Sequence, residues 1–508
     1  MTRNIVEFLI TVLCASLIVL GLGYNLRSAD IIIISLMIKL LSINIISRYF
    51  ILLPLFITFT LYFPIGYFYG PPDLGITASL FETNVRESME FTQSLPIWLL
   101  LGSLLIISSF FILNHFFWKK NATSKKWRYI FIVIITAISL LKYHSAGIEK
   151  IKIIKFYYSM YHSYQDYLKD KNDMTNGSYI LPSWQVEEVK GKYQNYVLII
   201  GESMRKDYMP VYGYPVETMP FLSHTNGVFW DGYVTTAPNT ALALSRILSR
   251  TSGKDFSKPD NIITLANMAN MANMETYWLS NQGRFGEFDS SVSRIAAKSH
   301  YTYFTKHGDY ASSNINDMAL LPVLKQKVQQ DHVKTRLFVL HLMGSHAGFC
   351  ARLEDQNPPE YFENNRDMSC YLATYTVADK FIQQVVSMLN DKAESYSLIY
   401  LSDHGLTRKH DFLVHGSEHK ENYESPLIII SSDDNKREYV NLPRSGFQFI
   451  NAFAEWTGIT EKGMKSQDKF FSHTPNKIIK VFNGSDMVDF ERLPSDPVLL
   501  PNNKKLAN

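Results

Sequence analysis

The chain of 508 residues carries a formal net charge of +3, with 46% hydrophobic and 14% aromatic residues. A balance so near neutral leaves no basic footprint for nucleic acid, and the apolar content excludes a disordered chain. Two or three domains with a large core fit within this length.

The apolar residues are unevenly spread. Residues 1–145 are overwhelmingly apolar and read as a transmembrane domain of five helices, whereas the remainder has the mixed composition of a soluble domain. The five runs cover residues 6–22, 31–46, 49–69, 97–118 and 129–141, at or near the roughly 20 residues a spanning helix needs. Lys39 interrupts the second run, and the fifth is short. Arg3 precedes the first, Arg48 separates the second from the third, and Lys119, Lys120, Lys125, Lys126 and Arg128 separate the fourth from the fifth. Between the third and fourth stand Asp73, Glu82, Glu87 and Glu90 against Arg86. By the positive-inside rule the amino terminus is cytoplasmic, and an odd number of crossings exports the large domain. A cleaved signal peptide is the alternative for the first run, disfavoured by the four runs behind it.

Residues 146–185 connect anchor to soluble domain. Their Lys- and Tyr-rich part, with Ile151, Phe156, Tyr158, Tyr161 and Tyr164, suits a helix lying in the headgroup zone, or an ordinary amphipathic linker helix. Asn176, Gly177, Ser178 and Pro182 then mark a true linker. Of the three cysteines, Cys14 lies in an apolar run, while Cys350 and Cys370 fall in the soluble part. These two either close a loop as a disulfide or remain buried thiols, and neither has zinc-finger spacing.

Residues 186–495 alternate short apolar strands with helical stretches, the pattern of an α/β sandwich with a largely parallel sheet. The tail, 496–508, has the composition of a loosely ordered segment. The stretch 196–205, Y-V-L-I-I-G-E-S-M-R, begins as a fully buried strand, and Gly201 is expected to let the chain turn sharply there. Glu202 then stands at the carboxyl end of a strand, where α/β folds bind ligands. Two further predicted strands, 398–402 and 337–341, run into Asp403-His404-Gly405 and Met343-Gly344-Ser345-His346, and His415-Gly416 follows the first. Asp, Glu and His are donors for a catalytic Zn²⁺. Any one of them has a plain loop or structural reading, and His341 is read as structural. Asn239-Thr240 precedes a helical run, which puts Thr240 at a helix N-terminus, where a simple N-cap is the alternative to a nucleophile. A metal beside that hydroxyl would acidify it.

Glu202 in G-E-S-M-R, Tyr212-Gly213-Tyr214, Thr240-Ala241, Gly344-Ser345-His346 and Ser402-Asp403-His404-Gly405 with His415-Gly416 occur in one order along the chain. In these motifs the sequence resembles the membrane-anchored phosphoethanolamine transferases of the alkaline phosphatase and sulfatase superfamily. The resemblance implies five amino-terminal crossings of a bacterial inner membrane and a periplasmic, sulfatase-like α/β/α sandwich with a mostly parallel central sheet. It implies Thr240 as nucleophile, with Glu202, Thr240, Asp403 and His404 around one tightly bound Zn²⁺. His346 and His415 match histidines that bind substrate phosphate or a second zinc. Residues 81–87 resemble the segment that meets the lipid donor, giving headgroup contacts to Thr83 and Glu87. Arg284 stands where a basic residue holds phosphate, or is a solvated surface arginine. The implied donor is phosphatidylethanolamine, the acceptor is lipopolysaccharide (lipid A or a core sugar) or another envelope glycan, and the protein is a monomer. No cysteine flanks the Thr240 loop and Leu406 follows Asp403-His404-Gly405, departures from the lipid A-modifying branch that leave the acceptor open. A glycerophosphotransferase or phosphodiesterase, and a non-catalytic membrane sensor, are the competing readings; a sulfatase would need Cys or Ser where Thr240 stands.

Overall fold

The computed structural model describes residues 2–82, 88–89, 92, 95–118, 151–177, 186–252, 255–282, 291–305, 315–354, 358–409, 412–462, 469–472, 474–476 and 478–501. The chain divides into two compact units, Met1–Thr77 with Phe91–Tyr167, and Ala78–Glu90 with Leu168–Asn508.

In the first unit, three helices among the described residues are long and apolar enough to cross a membrane: Arg3–Gly21, Ile45–Tyr69 and Ile97–Phe116. The expectation of five is corrected accordingly. The second apolar run forms helix Ser28–Leu41 of 14 residues, about 21 Å at 1.5 Å per residue and short of the roughly 30 Å hydrocarbon layer. Its Lys39 pairs with the buried Glu7 of helix Thr2–Gly21, so the charge that interrupts the run is neutralised inside the bundle. The fifth run lies outside the described residues. Ser109 donates to Cys14 Sγ at 3.0 Å, and Phe56 packs on Phe110 with ring centroids 5.4 Å apart. The connecting segment contains helix Lys152–Gly177, whose Ile151 end and Phe156 are buried while Tyr158 and Tyr161 are exposed.

The second unit is built on an eight-stranded sheet: β1 (Asn195–Gly201), β2 (Gly227–Trp230), β3 (Glu275–Ser280), β4 (Tyr301–Phe304), β5 (Arg336–His341), β6 (Tyr396–Ser402), β7 (Leu427–Ser431) and β8 (Arg437–Val440). The spatial order is β8-β2-β7-β6-β1-β5-β3-β4. The sheet is mixed. β6, β1, β5, β3 and β4 run parallel, as do β8 and β2, but β7 is antiparallel to both its neighbours. Between β6 and β7 the chain makes only a small ribbon (Thr407–Lys409 with Phe412–Val414) and a 3-10 turn, Lys420–Asn422. Among the described residues of this connection no crossover helix returns the chain to the starting edge, so the next strand runs back.

Every residue of β1, β5 and β6 is buried, because helices cover both faces. Val197, Ile199, Phe338, Leu340, Leu398 and Tyr400 share a core with Leu324, Phe381, Ile382 and Val385 of helices Leu321–Gln329 and Arg366–Lys392. On the opposite face Tyr196 meets Trp456 of helix Phe449–Thr457 edge-on at 5.0 Å, and the Trp456 indole donates to Ser397 at 2.8 Å.

Cys350 and Cys370 form a disulfide with Cα atoms 4.9 Å apart, which resolves the alternative that the spacing left open. It joins the turn Phe349–Arg352 to helix Arg366–Lys392. Of the tail expected to be loose over 496–508, residues 496–501 are docked and 502–508 lie outside the described residues. Asp496 accepts from the fully buried guanidinium of Arg205 at 2.8 Å and from Arg408 N at 2.6 Å, and Leu499 N donates to Tyr208 Oη at 2.9 Å. A buried cation needs such a partner, and sequence composition does not record it.

Candidate active site

Four neighbouring strands end level with one another, Gly201 opposite Ser402 and Ile200 and Ser280 both opposite His341. The residues that follow them therefore emerge at one sheet edge. Gly201 does not itself turn the chain; a Cβ there would lie 2.6 Å from the Tyr400 hydroxyl, so glycine is required for close approach. The turn falls at Ser203, which takes a left-handed φ of 57°. That conformation is uncommon for a residue with a Cβ. It is held by Ser203 N donating to Asp403 Oδ1 at 3.0 Å and by Tyr371 Oη donating to Ser203 O at 2.9 Å.

Asp403 and His404 follow β6 and are fully buried, as is Glu202. One ligand atom from each of the three lies within 4.8 Å of the others. Thr240 begins helix Thr240–Ile247 after its N-cap Asn239, whose side chain accepts from Leu242 N at 3.0 Å. Capping is thus done by Asn239, and the Thr240 hydroxyl points elsewhere, donating to Glu202 Oε2 at 2.8 Å with His404 Nε2 at 3.4 Å. His404 Nδ1 faces the Gly405 carbonyl at 2.8 Å, which fixes a proton on Nδ1 and turns Nε2 toward Glu202 Oε1 (3.3 Å) and Asp403 Oδ2 (3.4 Å).

The charges are mutually dependent. Burial alone would raise Glu202, but the hydrogen bond and charge of His404 override it and hold this carboxyl well below its usual range. Burial and then the Glu202 charge push Asp403 up. His404, which burial would lower, is raised to about 9 by Asp403 and Glu202. A cluster that retains a proton against neutral pH is one that lacks positive charge. Asp403 Oδ2 accepts no hydrogen bond although it is buried, an orphaned lone pair aimed at the same point. Two carboxylates, an imidazole nitrogen and a hydroxyl converging there fit a Zn²⁺ ion in donor type and number.

His346 and His415 border this group, His415 with its ring centroid 4.8 Å from that of His404 and 6.4 Å from that of His346. Burial and then the His404 charge push His415 down to about 3, so its imidazole is neutral. His341 ends β5 with its ring edge-on to Trp278. Arg284, Thr83 and Glu87 lie outside the described residues. Among the described residues of the stretch noted for Arg284, Gln282 reaches the site, its amide donating to Glu202 Oε2 at 3.1 Å and to Leu342 O at 3.0 Å. Its position just past a strand end, like that of Glu202, is the signal that marks it.

Residues 194–459 match the Sulfatase family. The chain is 31% identical over 455 residues to the phosphoethanolamine transferase OpgE of Escherichia coli K12, covering 86% of this chain and 85% of OpgE. The chain belongs to the sulfatase-like phosphoethanolamine transferases. A putative phosphoethanolamine transferase of Haemophilus influenzae is 33% identical over 435 residues, 81% of this chain and 86% of the relative. In three dimensions the transferase is similar to the integral membrane lipooligosaccharide phosphoethanolamine transferase A of Neisseria meningitidis, with a TM-score of 0.62, 16% identity, and 90% and 96% of the two chains covered. The periplasmic domain of Escherichia coli EptC, solved in complex with Zn, overlays with a TM-score of 0.54 at 21% identity, covering 62% of this chain and 98% of that one. At such identities the overlays show the fold.

Proposed function

We propose that the protein transfers phosphoethanolamine from phosphatidylethanolamine to lipopolysaccharide or another envelope glycan through a covalent phospho-threonine at Thr240. The observation that carries this reading is the Thr240 hydroxyl, lodged 2.8 Å from Glu202 Oε2 and 3.4 Å from His404 Nε2 instead of capping its helix. Glu202, Thr240, Asp403 and His404 would hold the Zn²⁺. When bound, the ion supplies the positive charge that favours an ionised hydroxyl and an anionic phosphate.

In the first half-reaction Thr240 Oγ1 bonds to the donor phosphorus and its proton passes toward Glu202 Oε2. The phosphorus–oxygen bond to diacylglycerol breaks in line, and His346 protonates the departing oxygen, while the neutral His415 is left to bind the phosphate. In the second half-reaction an acceptor hydroxyl, giving its proton to His346, or an acceptor phosphate oxygen attacks the same phosphorus, and Thr240 Oγ1 leaves and takes back its proton from Glu202. Asn239 and the helix behind it hold Thr240 in place between the two steps, and the N-terminal amides favour the phosphate charge. Thr83 and Glu87 are assigned to the donor headgroup and Arg284 to phosphate on the strength of the sequence motifs. The spanning helices among the described residues and the disulfide both suit a bacterial inner-membrane protein with its catalytic domain in the oxidising periplasm, and a monomer is assigned to it.

Incubation of the purified full chain with phosphatidylethanolamine bearing a labelled headgroup tests the reading. Label should appear on Thr240 and be discharged by acceptor, and Thr240→Ala should abolish it; labelling that survives the substitution would refute the assignment. Mass spectrometry of envelope glycolipids and glycans with and without the protein then identifies the acceptor.

A further inference from the structure

Two loops that frame the site meet on a carboxylate to which the chemistry above gives no part. Asp317 opens the 3-10 turn Asp317–Leu320, ahead of helix Leu321–Gln329, and is buried. Its Oδ1 accepts from Met343 N and from Asn281 Nδ2, each at 2.7 Å, and its Oδ2 accepts from Gly344 N at 2.9 Å. The consecutive Met343 and Gly344 amides form a concave donor pair, with Gly344 at a φ of 46°. A Cβ at Gly344 would lie 2.8 Å from Glu202 N, so this turn is pressed against the residue that begins the metal group.

The turn ends in His346. His346 N donates to Met343 O at 3.1 Å, and Ser345 N donates to Glu202 O at 2.9 Å. From the other side Arg352 donates to His346 O at 3.3 Å and to Ala347 O at 2.8 Å. The backbone that carries His346 is therefore gripped through its N–H groups by Asp317 and through its carbonyls by Arg352. The third donor to Asp317, Asn281, also donates to Ile315 O at 2.8 Å and precedes Gln282, which touches Glu202. Replacing the carboxylate by an amide puts an NH₂ group against at least one of these donors. A buried N–H then loses its acceptor and the turn relaxes.

We propose that Asp317 is a positioning residue, holding the 343–346 turn so that His346 meets the phosphate opposite Thr240. No bond is made or broken at Asp317. The inference rests on the role given above to His346.

The test is a double-mutant cycle in the full-length, membrane-embedded protein, with phosphatidylethanolamine carrying a labelled headgroup as probe. The initial rate of Thr240 labelling, the zinc content and the Tm are measured for the parent, Asp317→Asn, His346→Ala and the double variant. Asp317→Asn should keep its zinc and slow labelling about ten- to a hundred-fold, the scale of a small misplacement. In the His346→Ala background the same change should alter the rate by less than about two-fold, because both act through one side chain. A general loss of stability would not be absorbed in this way. A parent-like rate for Asp317→Asn, or a penalty that multiplies undiminished onto His346→Ala, overturns the inference. A parent-like rate for His346→Ala overturns the role of His346 and this inference with it, whereas a slow His346→Ala with an undiminished Asp317 penalty overturns the inference alone. Should Asp317→Asn not fold, Asp317→Glu keeps the acceptor and enters the same cycle, with a smaller loss and the same absence of additivity expected.

Discussion

At Asp403 the two carboxylate oxygens have different lives. Oδ1 accepts from Ser203 N and from His404 N, at 3.0 and 2.8 Å, so it ties the two strand-end loops together. Oδ2 accepts nothing and faces the cluster. Asp403→Asn, which removes the charge while preserving shape, should lower zinc affinity by more than about a hundred-fold, the upper end of what losing even an indirect ligand contact costs. Titration with a zinc chelator measures it. The same cluster sets a pH dependence. Because Asp403 and His404 both bind their protons more tightly than isolated side chains, His404 up to about 9, zinc must displace protons to bind. Affinity should therefore rise with pH from 6 to about 9 and fall on acidification, read by chelator competition across that range; a flat profile would contradict the charge assignments. Glu202, Asp403 and His404 were visible in the sequence because strand-end polar residues stand out against apolar runs. Ser203 and Asp317 were not, since a left-handed φ leaves no mark on a serine and the bonds of Asp317 run mostly to backbone amides.

The level endings of β1, β3, β5 and β6 explain how residues hundreds of positions apart share one edge. The strands themselves are legible as short apolar runs, but direction is not. Leu427–Ser431 reads the same in either sense, and only the lack of a crossover helix before it makes it antiparallel. The disulfide belongs to this scale too. Spacing left Cys350 and Cys370 undecided, because the approach depends on how the turn after His346 meets helix Arg366–Lys392. Closing a loop of 20 residues should contribute about 3 kcal/mol, so replacing both cysteines by serine should lower stability by that amount in denaturant unfolding.

Across the whole chain, composition separates an apolar amino-terminal part from the catalytic unit, but it overcounts the crossings. A run such as Ser28–Leu41 passes for a span until its length and its Lys39–Glu7 pair are seen. Arg3 at the head of the first span puts the amino terminus on the cytoplasmic side by the positive-inside rule, and a periplasmic catalytic unit is the expectation to test. A reporter that is active only in the periplasm should therefore be active when fused after the last residue and silent when fused before Arg3; the reverse result would invert the topology.

The bond from Arg205 to Asp496 joins residues 291 positions apart, and the guanidinium, which Asp207 also holds, sits three residues beyond Glu202. A carboxylate from far along the chain thus clasps the loop that follows the strand bearing Glu202. Asp496→Ala should therefore loosen that loop while the local Arg205–Asp207 pair survives, and faster hydrogen exchange across residues 203–208 would report it.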